Sequence, residues 1–340
     1  MVNILVTGGA GYIGSHTCLA LAEKGYTPVV YDNLVNGHRE FVQWGPFELG
    51  DVRDRVRLEE VIGLYKPAAI IHFAGLIEVA ESITNPIAFF DNNVSGSLAL
   101  FAAALQAGIN KVVFSSTCAT YGIPQEIPMR ESHPQLPISP YGTSKLLVER
   151  ILRDLGTYQN LRSVILRYFN AAGADIQGRI GEWHNTESHV IPIAIDVARG
   201  KRSLFKIYGS DYPTPDGTCI RDFIHVADLA DAHARSIDYL LAGGSSIALN
   251  LGTGRGTSIK QLVHAIEIIS KIRLPIEFRA GGLDGLKLNG TASPTHQHWV
   301  RSGKKLFGKI GFVLPKSNNL PFNRPASQSF IDARRRFVYA

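Results

Sequence analysis

Short apolar runs rich in β-branched residues alternate with helix-like stretches along the first half of the chain. The predicted strands are Ile4–Thr7, Pro28–Tyr31, Phe47–Leu49, Ala69–Phe73, Lys111–Ser115 and Val164–Tyr168. The predicted helices between them are Gly14–Lys24, Arg55–Tyr65, Asn93–Ala107 and Tyr141–Leu155. The strand runs are continuously apolar, as expected where helices cover both faces of a parallel sheet. This βαβα order predicts an α/β fold with a doubly wound parallel sheet and right-handed crossovers.

The pattern changes after Asn170. Loops rich in Gly, Pro and Asp are predicted to run to about Asp222, followed by a strand at Ile247–Leu251 and a helix at Ile259–Ser270. We interpret this part as a second, smaller α/β domain that is partly interleaved with the first. The predicted division is residues 1–171 and 225–251 for the first domain, and residues 172–224 and 252–279 for the second.

Composition limits the classes of partner. The net charge is +6, but residues 280–340 hold ten of the 35 Lys and Arg residues and two of the 29 acids. The body of the chain is therefore close to neutral, which argues against a nucleic-acid surface. No apolar run is long enough to span a membrane, and the N-terminus does not resemble a signal peptide. The three cysteines are scattered and lack metal-ligand spacing, which favours a reducing cytoplasm.

A glycine-rich turn, TGGAGYIGS (7–15), joins the first predicted strand to the first predicted helix. Gly8, Gly11 and Gly14 would permit a tight turn, close approach of a pyrophosphate, and close packing of helix on strand. The alternative is a tight βα turn that binds nothing. Asp32 ends the second strand, where a carboxylate can accept hydrogen bonds from an adenosine ribose and would repel a 2′-phosphate. This spacing predicts a Rossmann-type domain that binds NAD rather than NADP.

Two polar residues near strand ends have alternative interpretations. Asp51 could contact the adenine, or it could be a solvated helix-cap acid. His72 lies within an apolar run, so we expect a satisfied core histidine rather than a catalytic one. The main chain of Phe73–Gly75 follows the fourth strand, where a cofactor bound at the carboxyl edge of the sheet would lie.

Tyr141 and Lys145 are predicted to lie one turn apart on the same face of a helix, with Ser139 as N-cap and Pro140 as first residue. Lowering a phenol pKa from about 10 to about 7 requires about 4 kcal/mol. One cation at about 4 Å in an effective dielectric of about 20 supplies a term of that size. Thr117 ends an upstream strand and could contact the same substrate oxygen. A Ser/Thr–Tyr–Lys set beside NAD indicates hydride chemistry, although a chance Tyr/Lys pair is the alternative.

Several stretches together resemble the extended short-chain dehydrogenase/reductase family, and within it the UDP-sugar 4-epimerases. The stretches are TGGAGYIGSHT (7–17), YDNL (31–34), IHFAGL (71–76), DNNVSG (91–96), FSSTCATYG (114–122), SPYGTSK (139–145), LRYFNAAGA (166–174), YGSDYPTPDGTCIRDFIHVADLADAH (208–233) and NLGTG (250–254). The resemblance covers residues 1 to about 278, and the block around Asp211–Asp222 is its most specific part.

The resemblance implies the NAD-dependent interconversion of UDP-glucose and UDP-galactose by a homodimer, with Tyr141 as base, Thr117 orienting the sugar 4-oxygen and Lys145 on the nicotinamide ribose. Residues matched to cofactor-binding positions are Gly8, Gly11, Tyr12, Ile13, Gly14, Asp32, Asn33, Asp51, Val52, Phe73, Ala74, Gly75, Asn92, Lys145 and Phe169. Residues matched to nucleotide-sugar positions are Thr117, Tyr141, Asn170, His189, Val190, Tyr208 and Arg221. For Arg221 the alternative is a surface ion pair with Asp222.

Related dehydratases usually carry an Asp-Glu pair directly after the triad threonine. Here Cys118 and Ala119 follow Thr117, so the residues that would support water elimination are missing. This difference favours epimerisation over dehydration.

The chain departs from the family pattern after Glu277-Phe278. The expected Arg-x-Gly-Asp-like element and closing helix are not recognisable in residues 280–340, which form an atypical basic tail. We hypothesise that this tail is read in a shifted frame or is otherwise not homologous. Two alternatives to UDP-glucose 4-epimerisation therefore stay open: an NAD-binding homologue with reduced or lost turnover, and a 4-epimerase of another UDP-sugar.

Overall fold

The computed structural model describes residues 1–184 and 187–279. Its strands are β1 (Val2–Thr7), β2 (Tyr26–Asp32), β3 (Phe47–Leu49), β4 (Ala69–His72), β5 (Lys111–Thr117), β6 (Arg162–Tyr168), β7 (Asn170–Ala172), β8 (Phe205–Tyr208), β9 (Ile220–His225), β10 (Ile247–Leu251), β11 (Gly256–Ser258) and β12 (Ile276–Arg279). Its α-helices are α1 (Tyr12–Glu23), α2 (Arg55–Tyr65), α3 (Val79–Thr84), α4 (Pro86–Phe89), α5 (Gly96–Gln106), α6 (Pro140–Gln159), α7 (Val190–Ala198), α8 (Val226–Leu241) and α9 (Ile259–Ser270).

A seven-stranded parallel sheet forms the larger part of the fold. Its strand order is β10-β6-β5-β4-β1-β2-β3. The chain proceeds outward from β1 through β2 to β3, and then returns to β4 on the other side of β1. The strand order thus reverses between β1 and β4, and ligands of open α/β sheets bind at the carboxyl ends of the strands beside such a reversal. The predicted doubly wound α/β fold is confirmed.

Helices cover both faces of this sheet, which explains the continuously apolar strands. In β1, Ile4 and Val6 face a core formed with α1 and α8, whereas Leu5 faces a core formed with α2, α5 and α6. All three side chains are fully buried. Since successive residues of a strand point to opposite faces, a strand buried on both faces has no polar alternation.

A smaller unit follows the large sheet. It contains a three-stranded sheet of order β11-β9-β7 and a parallel pair of β12 with β8. Helices α7 and α9 pack on these strands through an apolar core that includes Ile191, Phe205, Phe223 and Leu262. The strands β7 and β9 come directly after β6 and directly before α8, so the smaller unit is connected to the large sheet at more than one point of the chain.

Two local predictions were wrong. Residues 170–222 were expected to be loops, but they contain α7, the two short strands β7 and β8, and the first half of β9. Helix α7 carries Pro192 in its first turn, where a missing N–H removes no helical hydrogen bond, so this proline does not break the helix. The helix expected to begin at Asn93 is preceded by α4 and a π-helical turn at Phe90–Ser95, which together extend the helical path back to Pro86.

The proposed division into domains at residues 171, 224 and 251 stays a prediction. The basic tail, residues 280–340, lies outside the described residues. Within the part of the chain that is described, no helix combines the length and the apolar character needed to cross a membrane.

Candidate active site

The glycine turn after β1 packs against the end of β4. Gly8 has a φ of +73°, and a Cβ there would come within 2.6 Å of the main-chain nitrogen of Ala74. A Cβ on Gly14 would overlap the carbonyl oxygen of Gly8. A Cβ on Gly11 would instead meet only that same oxygen, at 3.4 Å, an ordinary contact. The fold itself therefore requires glycine at 8 and 14, whereas the open space above Gly11 suits close approach of a ligand.

Asp32 lies beside this turn and is fixed by main-chain donors. Its carboxylate accepts hydrogen bonds from the nitrogens of Ala10, at 3.0 Å, and Leu34, at 2.8 Å. Burial raises the pKa of Asp32, while both bonds act in the opposite direction. A carboxylate offers about four acceptor positions, so this one retains capacity for a ribose hydroxyl.

Asp51 is held by charged and polar side chains. Arg53 contacts it from Nε and Nη2 at 2.9 Å, and Asn33 donates to it at 3.1 Å. The Arg53 hydrogen bonds hold the pKa of Asp51 well below its usual range. The cap of α2 is Asp54, which accepts from the nitrogen of Arg57, so Asp51 is not the helix-cap acid of the alternative interpretation. Contact of Asp51 with an adenine stays a prediction.

Other residues predicted to bind the cofactor point elsewhere with their side chains. Val52 is buried in the core, where it faces Gly96 of α5. The hydroxyl of Tyr12 donates to the carbonyl of Gly173 at 2.5 Å. Phe169 packs in a small apolar cluster near Tyr121. Ile13 is partly buried in the first turn of α1 against the core. For Val52 and Tyr12, the structure therefore leaves the main chain as the group that a cofactor would meet.

The end of β4 joins the glycine turn to helix α6. The nitrogens of Phe73 and Ala74 both donate to the carbonyl of Thr7, at 2.9 and 3.1 Å. A Cβ on Gly75 would come within 3.3 Å of the Lys145 ammonium. The main chain at Gly75 thus passes directly beside Lys145, and the two predicted groups of cofactor residues meet here.

His72 is a core histidine, as predicted. Its Nδ1 contacts the Thr7 hydroxyl at 2.7 Å and its Nε2 contacts the Ser97 hydroxyl at 2.9 Å. Burial, with a smaller effect of Lys145, lowers the pKa of His72 to about 3. Both ring nitrogens are occupied, so this residue is structural.

Helix α6 brings Tyr141, Lys145 and Thr117 together. The Ser139 hydroxyl accepts from the nitrogen of Gly142 at 3.1 Å, which confirms the predicted N-cap before Pro140. The Thr117 side chain, at the end of β5, lies near enough to the Tyr141 hydroxyl to affect the pKa of this phenol. The Lys145 ammonium is buried, donates to the carbonyl of Ser115 at 3.1 Å, and lies 5.0 Å from the centre of the Phe114 ring.

The protonation equilibria of this pair differ from the expected phenolate. Burial raises the pKa of Tyr141, Tyr168 acts in the same direction, and the nearby Thr117 side chain acts against them. Burial lowers the pKa of Lys145 to about 8. The expectation that Lys145 by itself makes the phenol acidic does not hold in the protein alone, because its ammonium is directed at Ser115 and desolvation outweighs charge.

The residues predicted to hold the nucleotide sugar fall into two groups. Asn170 begins β7, next to Phe223 of β9, and Arg221 lies two residues before Phe223 on that strand. Burial raises the pKa of Cys118 to about 11, and the positive charge of Arg221 acts against this rise. Arg221 therefore lies near Cys118, which directly follows Thr117. Asp222 is fully buried rather than at the surface, and the role of Arg221 stays a prediction.

The second group lies near α7 and β8. His189 caps the N-terminus of α7, directly before Val190, and its Nδ1 lies 3.1 Å from Glu182 and 3.4 Å from Glu187. Burial by itself would lower the pKa of His189, but these two carboxylates raise it to about 10. Tyr208 ends β8, is about half exposed, and belongs to the two-stranded pair rather than to the sheet that carries Arg221.

Residues 4–252 match the model of the "NAD dependent epimerase/dehydratase family". The chain belongs to this family. It is 61% identical over 301 residues to the UDP-glucose 4-epimerase of Rhizobium leguminosarum bv. trifolii, covering 88% of this chain and 92% of that one. It is 66% identical over 269 residues to the UDP-glucose 4-epimerase of Rhizobium meliloti (strain 1021), covering 79% and 82%. The crystal structure of UDP-glucose 4-epimerase from Brucella ovis in complex with NAD gives a TM-score of 0.84 at 47% identity, covering 88% and 91%.

In this member of the epimerase/dehydratase family, Asn93 links the candidate cofactor edge to the helix that carries Tyr141. Its side chain exchanges hydrogen bonds with both main-chain groups of Leu76, at 2.8 and 3.0 Å, and donates to the Ser144 hydroxyl at 3.0 Å. The sequence pointed to its neighbour Asn92, which donates to Asn93 at 3.0 Å. Adjacent asparagines cannot be told apart by type, and the π-helical turn decides which one faces inward.

A buried ion pair beneath the catalytic strand was also missed. Glu149 of α6 is fully buried and accepts from Arg167 at 2.6 Å and from Ser116 at 2.6 Å. Burial by itself would raise the pKa of Glu149, but Arg167 outweighs it and the pKa is lowered. Ser116 directly precedes Thr117, so this pair supports the strand end on which Thr117 lies. The sequence did offer one signal for this pair, because Glu149 and Arg167 each occur within an apolar stretch.

Proposed function

We propose that this chain is an NAD-dependent UDP-glucose 4-epimerase, which interconverts UDP-glucose and UDP-galactose. The observation that carries the proposal is the convergence of Tyr141 and Thr117 with the buried Lys145, which lies one helical turn from Tyr141 and beside the main chain of Gly75. Relatives that cover most of the chain are named UDP-glucose 4-epimerases, which supports the choice of reaction.

The residues present fit NAD. The turn at Gly8–Gly14 would hold the pyrophosphate at the N-terminus of α1, Asp32 would accept the adenosine ribose hydroxyls, and the Lys145 ammonium would donate to the nicotinamide ribose. Asn33, Asp51, Val52, Asn92 and Phe169 stay proposed as further cofactor contacts. When bound, NAD supplies a positively charged ring that accepts a hydride from sugar C4 and returns it.

The chain's own residues would handle the proton and the sugar. Tyr141 would remove the proton from the sugar 4-hydroxyl as its C–H hydride leaves, and would return it in the reverse step. Thr117 would donate to the same oxygen and orient it. Arg221 suits a diphosphate by charge and by its fork of donors, and Asn170, His189, Val190 and Tyr208 are proposed to complete the nucleotide-sugar site.

A coupled assay for conversion of UDP-galactose to UDP-glucose tests this function. Tyr141→Phe should lower kcat by about 100- to 10,000-fold, the usual contribution of a positioned proton-transfer group, while the protein still retains NAD. Tyr158→Phe is the matched control, since Tyr158 lies on the same helix with 82% of its surface exposed. Undiminished turnover by the Tyr141→Phe protein would refute the assigned role.

A second candidate is a homologue that binds NAD without turning over nucleotide sugar. It is favoured by the composition of residues 280–340, where the expected substrate-binding element is not recognisable. Retained NAD together with no conversion of several UDP-sugars would support it, and activity on one other UDP-sugar would identify a different 4-epimerase. Translation of the coding DNA in its other frames tests the frameshift hypothesis directly, because the missing element should then reappear.

We also propose a homodimer in the cytoplasm. The dimer rests on the family resemblance, in which helices matching α5 and α6 meet their counterparts. On these helices Leu98 is 47% and Tyr158 is 82% exposed. The compartment rests on the absence of any disulfide among the described residues, in which all three cysteines are free. Light scattering coupled to size-exclusion chromatography would give the mass in solution, and a monomer would contradict the dimer.

A further inference from the structure

Two histidines and two glutamates converge directly before helix α7. The sequence places Glu182, His184, Glu187 and His189 in the spacing E-x-H-x-x-E-x-H. One donor atom from each residue lies within 4.8 Å of every other. The His184 and His189 rings are 4.7 Å apart, and Nδ1 is the atom of each ring that faces the carboxylates. Four side chains of metal-ligand type therefore lie close together.

The spacing of the donor atoms is that of a tetrahedral site. His189 Nδ1 lies 3.1 Å from Glu182 Oε1 and 3.4 Å from Glu187 Oε1. His184 Nδ1 lies 3.4 Å from Glu187 Oε2 and 3.8 Å from Glu182 Oε1. Ligands at 2.0–2.1 Å from a tetrahedral Zn²⁺ would be about 3.3 Å apart. The four nitrogen–oxygen distances lie within about 0.5 Å of this value, and the two histidines face different oxygens of Glu187.

The orientation of the ligands also suits a metal. His189 Nδ1 is enclosed, and no hydrogen bond of good geometry satisfies it among the described residues, although carboxylate oxygens lie beside it. The Glu187 carboxylate is held by the main-chain nitrogen of His189, at 2.8 Å, as a supporting contact would hold a ligand. Glu182 and Glu187 are only 10% and 13% exposed, so their charges need a nearby cation.

We propose that Glu182, His184, Glu187 and His189 form a structural binding site for a divalent transition-metal ion, with Zn²⁺ as the preferred ion. Imidazole and carboxylate ligands in a tetrahedral arrangement select Zn²⁺ over Mg²⁺ and Ca²⁺, which prefer all-oxygen sites of higher coordination. All four positions are filled by protein side chains, which is the pattern of a closed structural site rather than a catalytic one.

The neighbours of the cluster indicate what the metal would do. The ring of Trp183 stacks on His38 with centres 4.0 Å apart, and the nitrogen of His38 donates to Ala10 in the glycine turn. Ser188 donates to Glu78, which precedes α3, at 3.1 Å. A bound ion would therefore fasten the segment before α7 onto the candidate cofactor edge. His189 is the one residue that this site shares with the proposed nucleotide-sugar site, and the metal site does not depend on the proposed epimerase chemistry.

The test uses the full chain, stripped with a chelator and titrated with Zn²⁺, with Mg²⁺ as the comparison ion. We expect one Zn²⁺ per chain by elemental analysis, a higher Tm, and no comparable effect of Mg²⁺. His184→Ala and Glu187→Gln should each weaken Zn²⁺ binding by at least about tenfold. The control is His264→Ala, an exposed histidine on α9 that should bind Zn²⁺ like the wild type. Zero bound Zn²⁺ would overturn the site. Equal Zn²⁺ binding by all variants would mean an adventitious ion only and would overturn the site as well.

A second measurement covers the case in which a variant misfolds. Co²⁺ titrated into the stripped wild-type protein should give the intense visible absorption of a four-coordinate ion, and one equivalent of Zn²⁺ should displace it. Weak absorption typical of six-coordinate Co²⁺ would contradict the tetrahedral site. This readout is independent of turnover, so loss of epimerase activity and absence of the metal are distinguished.

Discussion

At the carboxyl edge of the seven-stranded sheet, the glycine turn is held by main-chain hydrogen bonds and by close packing that only glycine permits. In the smaller unit, the loops are held by buried carboxylates. Gly8 packs on Ala74, and Thr7 accepts from the two residues after β4. In the smaller unit, Asp222 is fully buried and accepts from the nitrogens of Thr253 and Gly254, both at 2.9 Å. The candidate cofactor edge is thus fixed by backbone geometry, and the proposed substrate side is held by buried charge.

This difference has a consequence for ligand recognition. A binding site built from main-chain groups suits the part of a ligand that is the same in every turnover, because such a site depends little on side-chain identity. Loops held by carboxylates can change shape and charge with single substitutions, which suits the part of the site that selects a sugar. The Glu149–Arg167 pair is an exception, since it places buried charge beneath the large sheet's own catalytic strand.

The largest expected effect concerns the Glu149–Arg167 pair. Arg167→Met would leave Glu149 buried with the half-exposed Arg153 as its remaining cationic partner, and should lower the free energy of unfolding by about 3 kcal/mol. Urea unfolding measures this loss, and the same protein should show a lower kcat because Ser116 and Thr117 lose their support. The control is Arg55→Ala, which removes an exposed pair with Glu59 and should cost less than about 1 kcal/mol. A similarly small cost for Arg167→Met would show that the buried pair stabilises the fold no more than an exposed pair does.

The next effect tests the smaller unit. Asp222→Asn would replace an acceptor-only carboxylate with an amide that can accept at one atom, so at least one bond from the 253–254 loop is lost. We expect a loss of about 2–3 kcal/mol in the free energy of unfolding, since hydrogen bonds to charged groups contribute more than neutral ones. The exposed Asp211→Asn is the control. Equal stability of the two variants would contradict the view that carboxylates hold these loops.

A glycine pair sharpens the account of the cofactor side. Gly14→Ala should cost about 2 kcal/mol and reduce NAD retention, because the added methyl would overlap the carbonyl of Gly8 and force the turn apart. Gly63→Ala, within α2 and with open space around its Cα, should be neutral or slightly stabilising. Thermal unfolding and bound NAD per chain are the two measurements. A Gly14→Ala protein that keeps both would show that the turn adapts.

The same contrast explains what the sequence could predict. The alternation of apolar runs specified the large sheet, and the glycine turn specified its carboxyl edge, because both depend on local patterns that backbone geometry imposes. The N-cap at Ser139 and the core role of His72 were predicted for the same reason. By contrast, α7 was missed because Pro192 is read as a helix breaker unless its place in the first turn is known.

Contacts between distant charged residues were the harder part. Nothing in the local sequence pairs Glu149 with Arg167, or directs the Lys145 ammonium to the carbonyl of Ser115, since both depend on how helix α6 lies on the sheet. The phenol pKa of Tyr141 was predicted in the wrong direction for the protein alone. The spacing in the sequence predicts that the Lys145 charge lies near the phenol, but it does not predict how deeply the phenol is buried. The four-residue cluster before α7 was likewise hidden, since only one of its members, His189, matched a family position.

The last prediction concerns pH and compares a core histidine with a surface one. Burial lowers the pKa of His233 from 6.5 to about 4, so between these values the unfolded chain binds a proton that the folded chain does not. The free energy of unfolding should therefore fall as pH is lowered through this window, by up to about 1.4 kcal/mol per pH unit for one such group.

His233→Leu should remove that part of the slope. It should also raise stability near neutral pH, because Nε2 of His233 is buried without a hydrogen-bond partner among the described residues, and leucine removes this polar atom. The control is His264→Leu, whose side chain is exposed and should leave the slope unchanged. His72 also has a lowered pKa, so some slope should remain in the His233→Leu protein. Urea unfolding at a series of pH values measures these slopes, and an unchanged slope for His233→Leu would show that its proton uptake does not oppose folding.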